Sequence, residues 1–244
     1  MNEFVVIKKY FSDLSRNYKG SFDLSDDIFF DYKKKVGISI DSYVEGTHFL
    51  NFKNPNLVIK KALRGAISDL ICKGISPKYY FMSCSGNKKH LTQTNLTKIK
   101  LALKQEQKKY NIFLAGGDTS YSNKLSITFS VVGYSKKNPV LRSGAKINDD
   151  IYITNTIGDA FVGLKFLKGK IKLSKQNSDF FVRKFYLPNL PIKFSKRIHL
   201  FANSAIDISD GFFQDLQHIL SRSNLSSKIF KNKIPISSYL NSYL

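Results

Sequence analysis

The chain has 244 residues, of which 42% are hydrophobic, 14% aromatic and 23% charged. This length allows one large or two modest domains, and the composition excludes a chain that is disordered throughout. No apolar run approaches the roughly eighteen residues of a membrane-spanning helix, and the start of the chain does not read as a leader. Two cysteines, Cys72 and Cys84, are too few for a disulfide framework or a zinc cage. We expect a cytoplasmic protein with no membrane partner.

The formal net charge of +21 would attract polyanions. However, 33 of the 39 basic residues are lysines scattered along the chain, whereas specific recognition of phosphates and guanine favours the guanidinium fork. We interpret the lysines as solvated surface residues rather than as a dedicated nucleic-acid-binding face. A basic nucleic-acid binder remains an alternative, although we expect no specific nucleic-acid partner.

Hydrophobic periodicity and turn residues predict the elements in chain order. Helices are predicted over residues 3–14, 57–73, 94–110, 159–168, 179–186, 192–202 and 212–221, and strands over 36–40, 79–85, 112–115, 125–134 and 151–155. A turn is predicted at 116–119. Helices and strands mix without strict alternation, which favours an α+β fold over a doubly wound sheet. A polar stretch suggests two domains, residues 1–145 and 146–244.

The acidic residues are few and unusual, because 15 of the 18 are Asp. Asp41, Asp118 and Asp207 each follow an apolar run or small residues. For any single Asp a cap or a turn is the simpler interpretation, but the set favours a metal site. Two carboxylates about 4 Å apart repel by roughly 4 kcal/mol at an effective dielectric near 20, so the carboxylates of a cluster must be protonated, spread apart or neutralised by cations. Oxygen ligands without His or Cys suit Mg²⁺, which commonly also binds phosphate oxygens.

Standard nucleotide signatures are absent, which disfavours a P-loop ATPase or a Rossmann dehydrogenase. Gly116-Gly117 would let backbone amides approach a phosphate, and Arg142 could supply a charge-assisted fork. Taken alone, a Gly-Gly-Asp sequence is more often a turn than a phosphate-binding loop. Arg142 alone is as often a surface residue as a phosphate ligand, and His48 alone is more often a surface or packed histidine than a ligand.

In order, the motifs resemble those of the thiamine-monophosphate kinase family in the aminoimidazole ribonucleotide synthetase superfamily. The stretch from Asp41 to Phe49 looks like the family's D-x-x-V-E-G-x-H-F, and residues 61–70 look like its K-A-L…S-D-L helix. The matching motifs that follow are Gly116-Gly117-Asp118-Thr119, Arg142-Ser143-Gly144-Ala145 and the run from Ser204 to Gly211.

This resemblance implies phosphorylation of thiamine monophosphate to thiamine diphosphate by direct in-line transfer from ATP, with several Mg²⁺ ions and no phosphoenzyme. It also implies two α+β domains, a homodimer formed through the first domain, and a site in the cleft between the domains. The implied metal ligands are Asp27, Ser39, Ile40 through its backbone, Asp41, Asp69, Asp118, Asp207 and Asp210. The implied ATP-binding residues are Gly117, Asp118, Arg142 and Ser209, and the implied substrate-binding residue is His48.

The chain also departs from the family pattern. Ser25 stands where the family has glycine, and Ile40 stands where it commonly has threonine. The sequence ends at Leu244, where the family continues with a G-G-E-D-Y-E-L stretch and an aromatic residue, so an incomplete second domain is expected. Two further alternatives stay open: another ATP-dependent synthetase of the superfamily, or a catalytically impaired protein that binds Mg·ATP.

Overall fold

The computed structural model describes residues 3–244, and the side chains from residue 5 onward. A five-stranded mixed sheet in the order β1-β2-β5-β3-β4 organises the first half of the chain. Only β3 and β4 pair in parallel, which agrees with the predicted α+β class. The strands are β1 (Phe29–Asp31), β2 (Val36–Val44), β3 (Ser76–Gly86), β4 (Phe113–Tyr121) and β5 (Ser126–Tyr134).

The helices follow the predicted pattern with shifted ends. The α-helices are α1 (Glu3–Val6), α2 (Pro55–Cys72), α3 (Gln93–Tyr110), α4 (Asp159–Leu167), α5 (Lys175–Tyr186), α6 (Ile192–Ser195), α7 (Phe212–Ser223) and α8 (Ser238–Tyr243). The predicted first helix begins as α1 but continues as a π-helical turn, Ile7–Phe11, and a 3₁₀ turn, Ser12–Ser15. The helix predicted over 192–202 is likewise broken into α6 and a 3₁₀ turn, Ile198–Leu200.

Helix α2 is the central helix of the core. The side chain of Asn54 accepts a hydrogen bond from the Leu57 amide at its N-terminus, and Pro55 takes the first turn, where a missing N–H costs nothing. Its buried face includes Leu63 and Ile67 and lies on the same side of the sheet as the buried residues of β5, among them Phe129. This packing fixes one face of the sheet against α2.

Two sequence predictions about the sheet are wrong in detail. Asp41 lies inside β2, because the strand continues to Val44 along β5. Gly116 to Thr119 form no turn. They belong to β4, where the parallel ladder with β3 outweighs the turn preference of glycine. The connection to β5 is made instead by residues 122–125.

The second half of the described chain is helical, with α4 packed on α5 and α8 folded back against them. The ring of Tyr239 stacks on Phe180 with 4.0 Å between centroids. The strand predicted over 151–155 is absent, because this segment has no ladder partner among the described residues, and Tyr152 is 86% exposed. No helix in the described part of the chain is long and apolar enough to cross a membrane.

Candidate metal and nucleotide site

Four carboxylates from four separate segments lie near one another at the end of α2. Asp41 comes from β2, Asp69 from α2, Asp27 from the loop before β1, and Asp207 from the segment before α7. Ligand atoms of Asp27, Cys72 and Asp207 lie within 4.8 Å of one another. We call Asp27, Asp41, Asp69 and Asp207 the acidic cluster.

The electrostatics of the acidic cluster disfavour full ionisation without added cations. Burial, followed by the charges of Asp207, Asp27 and Asp41, raises the pKa of Asp69 well above its usual range. Burial and Asp27 raise the pKa of Asp207 to about 6, although a hydrogen bond from Ser68 opposes the shift. The cluster therefore gains by binding positive charge.

Two basic side chains already touch one edge of the cluster. The Lys73 ammonium lies 2.9 Å from Asp26 Oδ1 and 3.3 Å from Asp27 Oδ2. The Arg142 guanidinium binds both carboxylate oxygens of Asp27, and its backbone amide donates to Asp26 Oδ2 at 2.8 Å. Arg142, one of the predicted ATP ligands, thus lies beside a predicted metal ligand.

The floor of the site under Asp41 is closely packed. The Tyr43 hydroxyl is hydrogen-bonded to Asp41, and burial together with the nearby carboxylates raises its pKa. A methyl group added at Gly65 of α2 would lie 2.0 Å from the Tyr43 hydroxyl and 2.9 Å from Asp41 Oδ2. Only a glycine at this position allows the helix to approach the two side chains so closely.

The residues flanking Asp41 differ in what they offer. The Ser39 hydroxyl is buried and donates to the Ala66 carbonyl at 2.6 Å. The Ile40 side chain is 69% exposed on the opposite face of β2, which leaves only its backbone as a potential metal ligand. His48 lies just beyond β2, where its Nδ1 accepts a hydrogen bond from the Val44 amide at 2.9 Å.

Gly117 and Asp118 lie away from the acidic cluster. They sit on β4 at the edge of the sheet, three strands from β2, a separation of roughly 14 Å at the usual strand spacing. Asp118 pairs with Ser83, and the alternation of side chains places it on the face that α2 does not cover. A methyl group at Gly117 would meet the Met82 carbonyl oxygen at 2.0 Å, so the close approach of β4 to β3 requires glycine there.

Ser209 and Asp210 lie in a tight loop at the start of α7. The Asp215 carboxylate accepts hydrogen bonds from the amides of Ser209, Asp210 and Gly211 at 3.0 to 3.2 Å. These three hydrogen bonds fix the loop that carries Ser209, a predicted ATP ligand, and Asp210, a predicted metal ligand. The Asp210 carboxylate itself is exposed and accepts a hydrogen bond from Gln214 at 3.2 Å, and its role as a metal ligand stays a prediction.

The acidic cluster fits a hard divalent cation such as Mg²⁺, because its carboxylates repel one another and ligand oxygens of Asp27 and Asp207 lie within 4.8 Å of each other. Sequence reasoning did not single out Lys73, Tyr43, Cys72 or Asp215. Lys73 carries no signal in a chain with so many surface lysines. The capping role of Asp215 could have been found, since it lies four residues after Gly211, at the start of a predicted helix.

Comparison with known proteins places these features in a family. Residues 25–135 match the family "AIR synthase related protein, N-terminal domain". The chain is 37% identical to thiamine-monophosphate kinase of Buchnera aphidicola from Acyrthosiphon pisum, over 98% of this chain and 75% of that protein. It is 34% identical to the enzyme of the same name from Haemophilus influenzae, over 100% of this chain and 75% of the relative.

A solved structure described as AaThiL complexed with AMPPCP and TMP superposes with a TM-score of 0.87. It is 28% identical in sequence, and the match covers 100% of this chain and 79% of that one. The chain thus spans about three quarters of the length of its relatives, with the same fold throughout. It belongs to the thiamine-monophosphate kinase family of proteins related to AIR synthase.

Proposed function

We propose that this protein phosphorylates thiamine monophosphate to thiamine diphosphate, using ATP and Mg²⁺, in the cytoplasm. The observation that carries the proposal is the convergence of the acidic cluster beside Arg142, in a chain 37% identical to a thiamine-monophosphate kinase. The related structure holding AMPPCP and TMP supports the same pair of substrates.

The residues divide into two roles. The acidic cluster would hold the metal, with the Ile40 carbonyl and the Ser39 hydroxyl as further oxygens; the Ser39 hydroxyl is held in place by its hydrogen bond to the Ala66 carbonyl of α2. Bound Mg²⁺ would supply charge neutralisation and polarisation of the phosphate oxygens. Arg142 already lies beside Asp27, where its fork can reach a phosphate oxygen once nucleotide is present.

The transfer we propose is direct. A phosphate oxygen of thiamine monophosphate attacks the γ-phosphorus of ATP in line, the new P–O bond forms as the bond to ADP breaks, and the products are thiamine diphosphate and ADP. Asp210 and Ser209, held by Asp215, would approach the nucleotide from the α7 loop. His48 would contact the acceptor phosphate.

We also propose a homodimer formed through residues 1–145. The sheet face opposite α2 exposes large apolar side chains, among them Phe81 at 42% and Tyr134 at 46%. The neighbouring edge strand β4 is exposed along almost its whole length. Phe81→Lys should shift the sedimentation coefficient from dimer to monomer, whereas an unchanged coefficient would contradict the dimer face.

The function is tested by incubating purified protein with ATP and thiamine monophosphate and measuring thiamine diphosphate and ADP. We expect both products with Mg²⁺ and neither with chelator. Asp41→Asn should abolish product, and the exposed Asp150→Asn should serve as a matched control with unchanged yield. ADP without thiamine diphosphate would favour another synthetase, and nucleotide binding without any product would favour an impaired Mg·ATP-binding protein.

A further inference from the structure

Lys73 is the least expected residue of the site, because lysines are almost never fully buried unless they are paired. Its side chain is 0% exposed. The ammonium lies against Asp26 and Asp27 and donates to the Ala205 carbonyl at 2.8 Å, so all three of its donors have an acceptor. Burial alone would lower the pKa of Lys73, but Cys72, Asp26 and Asp27 raise it, and the side chain stays charged.

The three partners of Lys73 come from segments far apart in sequence. Asp26 and Asp27 precede β1, Lys73 follows α2, and Ala205 lies two residues before Asp207. One ammonium group therefore joins the segments that carry two carboxylates of the acidic cluster. It places a full positive charge between the Asp26 and Asp27 oxygens, at one edge of the acidic cluster.

We propose that Lys73 is a resident cation of the acidic cluster: it takes the place of one divalent ion and positions Asp27 and Asp207 before metal and nucleotide bind. The inference rests on the proposed metal site and deepens it. Lys73 is a positioning residue, since its buried ammonium is bonded to Asp26, Asp27 and the Ala205 carbonyl. A consequence is that the chain holds its empty site together without metal but binds divalent cations more weakly than a cluster lacking this ammonium.

The test replaces Lys73 with methionine, which fills similar space without charge, and uses the exposed lysine substitution Lys88→Met as the matched control. The affinity for Mn²⁺ without nucleotide is measured from the electron paramagnetic resonance signal of free Mn²⁺. Because a unit positive charge about 4 Å from the ion opposes binding, we expect Lys73→Met to bind Mn²⁺ at least about tenfold more tightly than wild type, and Lys88→Met to match wild type.

The recovery of melting temperature on adding metal gives a second readout that a purely structural lysine would not show. In chelator, Lys73→Met should melt well below wild type, because Asp26 loses its buried partner, and saturating Mn²⁺ should largely restore it. The proposal would be overturned if Mn²⁺ did not raise the low melting temperature of Lys73→Met, or if Lys73→Met bound Mn²⁺ with the same affinity as wild type.

A second variant covers the case in which Lys73→Met does not fold. Lys73→Gln removes the positive charge but keeps a hydrogen-bond donor beside the buried carboxylates, and both Asp26 and Asp27 remain, so tighter Mn²⁺ binding than in wild type is again expected. Equal affinity would refute the inference. If wild type binds no Mn²⁺, the metal site itself fails, and the separate assay of thiamine diphosphate formation tells whether the proposed activity fails with it.

Discussion

Substituting Asp207 by asparagine should stabilise the metal-free protein while removing its activity. Burial and the charge of Asp27 raise the pKa of Asp207 from 3.8 to about 6, with Ser68 and Lys73 opposing the shift and Asp215 adding to it. The folded carboxyl is therefore harder to ionise than the unfolded one. As pH rises from 3.8 to 6, the free energy of unfolding of wild type therefore falls. Above pH 6 it stays lower by the full cost of ionising the buried Asp207 carboxyl.

The magnitude follows from the shift. A difference of about two pKa units corresponds to about 3 kcal/mol at pH 7.5, and about half of this at pH 5, where the folded carboxyl is mostly protonated. Asparagine resembles the protonated acid and avoids the penalty. For a chain of this length, about 3 kcal/mol is a rise of roughly 6 to 12 °C in melting temperature.

The assay is urea unfolding in chelator at pH 7.5 and pH 5, with Asp150→Asn as an exposed control. Asp207→Asn should raise the free energy of unfolding most at pH 7.5, and Mg²⁺ should reduce its advantage because wild type then gains a bound cation. A destabilised variant at pH 7.5, or a gain equal at both pH values, would refute the electrostatic description of the cluster.

Three further outcomes follow from the described contacts. Glu106→Gln should lower the free energy of unfolding by roughly 3–5 kcal/mol in urea, because it leaves Arg64 buried without its bidentate partner; a loss below about 1 kcal/mol would contradict this. Gly65→Ala should reduce kcat/KM for thiamine monophosphate by about a hundredfold, since its methyl group displaces Tyr43 and Asp41, and wild-type kinetics would show that the packing is irrelevant. Mg²⁺ without nucleotide, at a hundred times its Kd, should stabilise wild type by about 2.7 kcal/mol and so raise its melting temperature. An unchanged melting temperature would count against the metal site.

Local signals in the sequence predicted the central part of the fold well. The Asn54 cap and Pro55 mark the start of α2, and Gly74, with φ of +80°, follows its end. The α+β class, the kinase family and the helices predicted over 159–168, 179–186 and 212–221 were likewise confirmed. These features depend on residues adjacent in the chain, where capping and periodicity act directly.

Features that depend on distant partners were predicted less well. Gly116 to Thr119 form a strand because β3 pairs with them, and residues 151–155 form none because no described strand pairs with them. Lys73 is buried only because three remote segments meet around it. The roles of Asp118 and Gly117 stay predictions, since the fold sets them apart from the acidic cluster.

The most direct test of the central claim follows the phosphoryl group itself. Wild-type protein is incubated with Mg²⁺, thiamine monophosphate and ATP labelled in its γ-phosphate, and the products are separated and quantified. We expect the label in the terminal phosphate of thiamine diphosphate, with one ADP formed for each labelled product. Label recovered only as inorganic phosphate, or retained in ATP while the protein still binds nucleotide, would contradict a thiamine-monophosphate kinase.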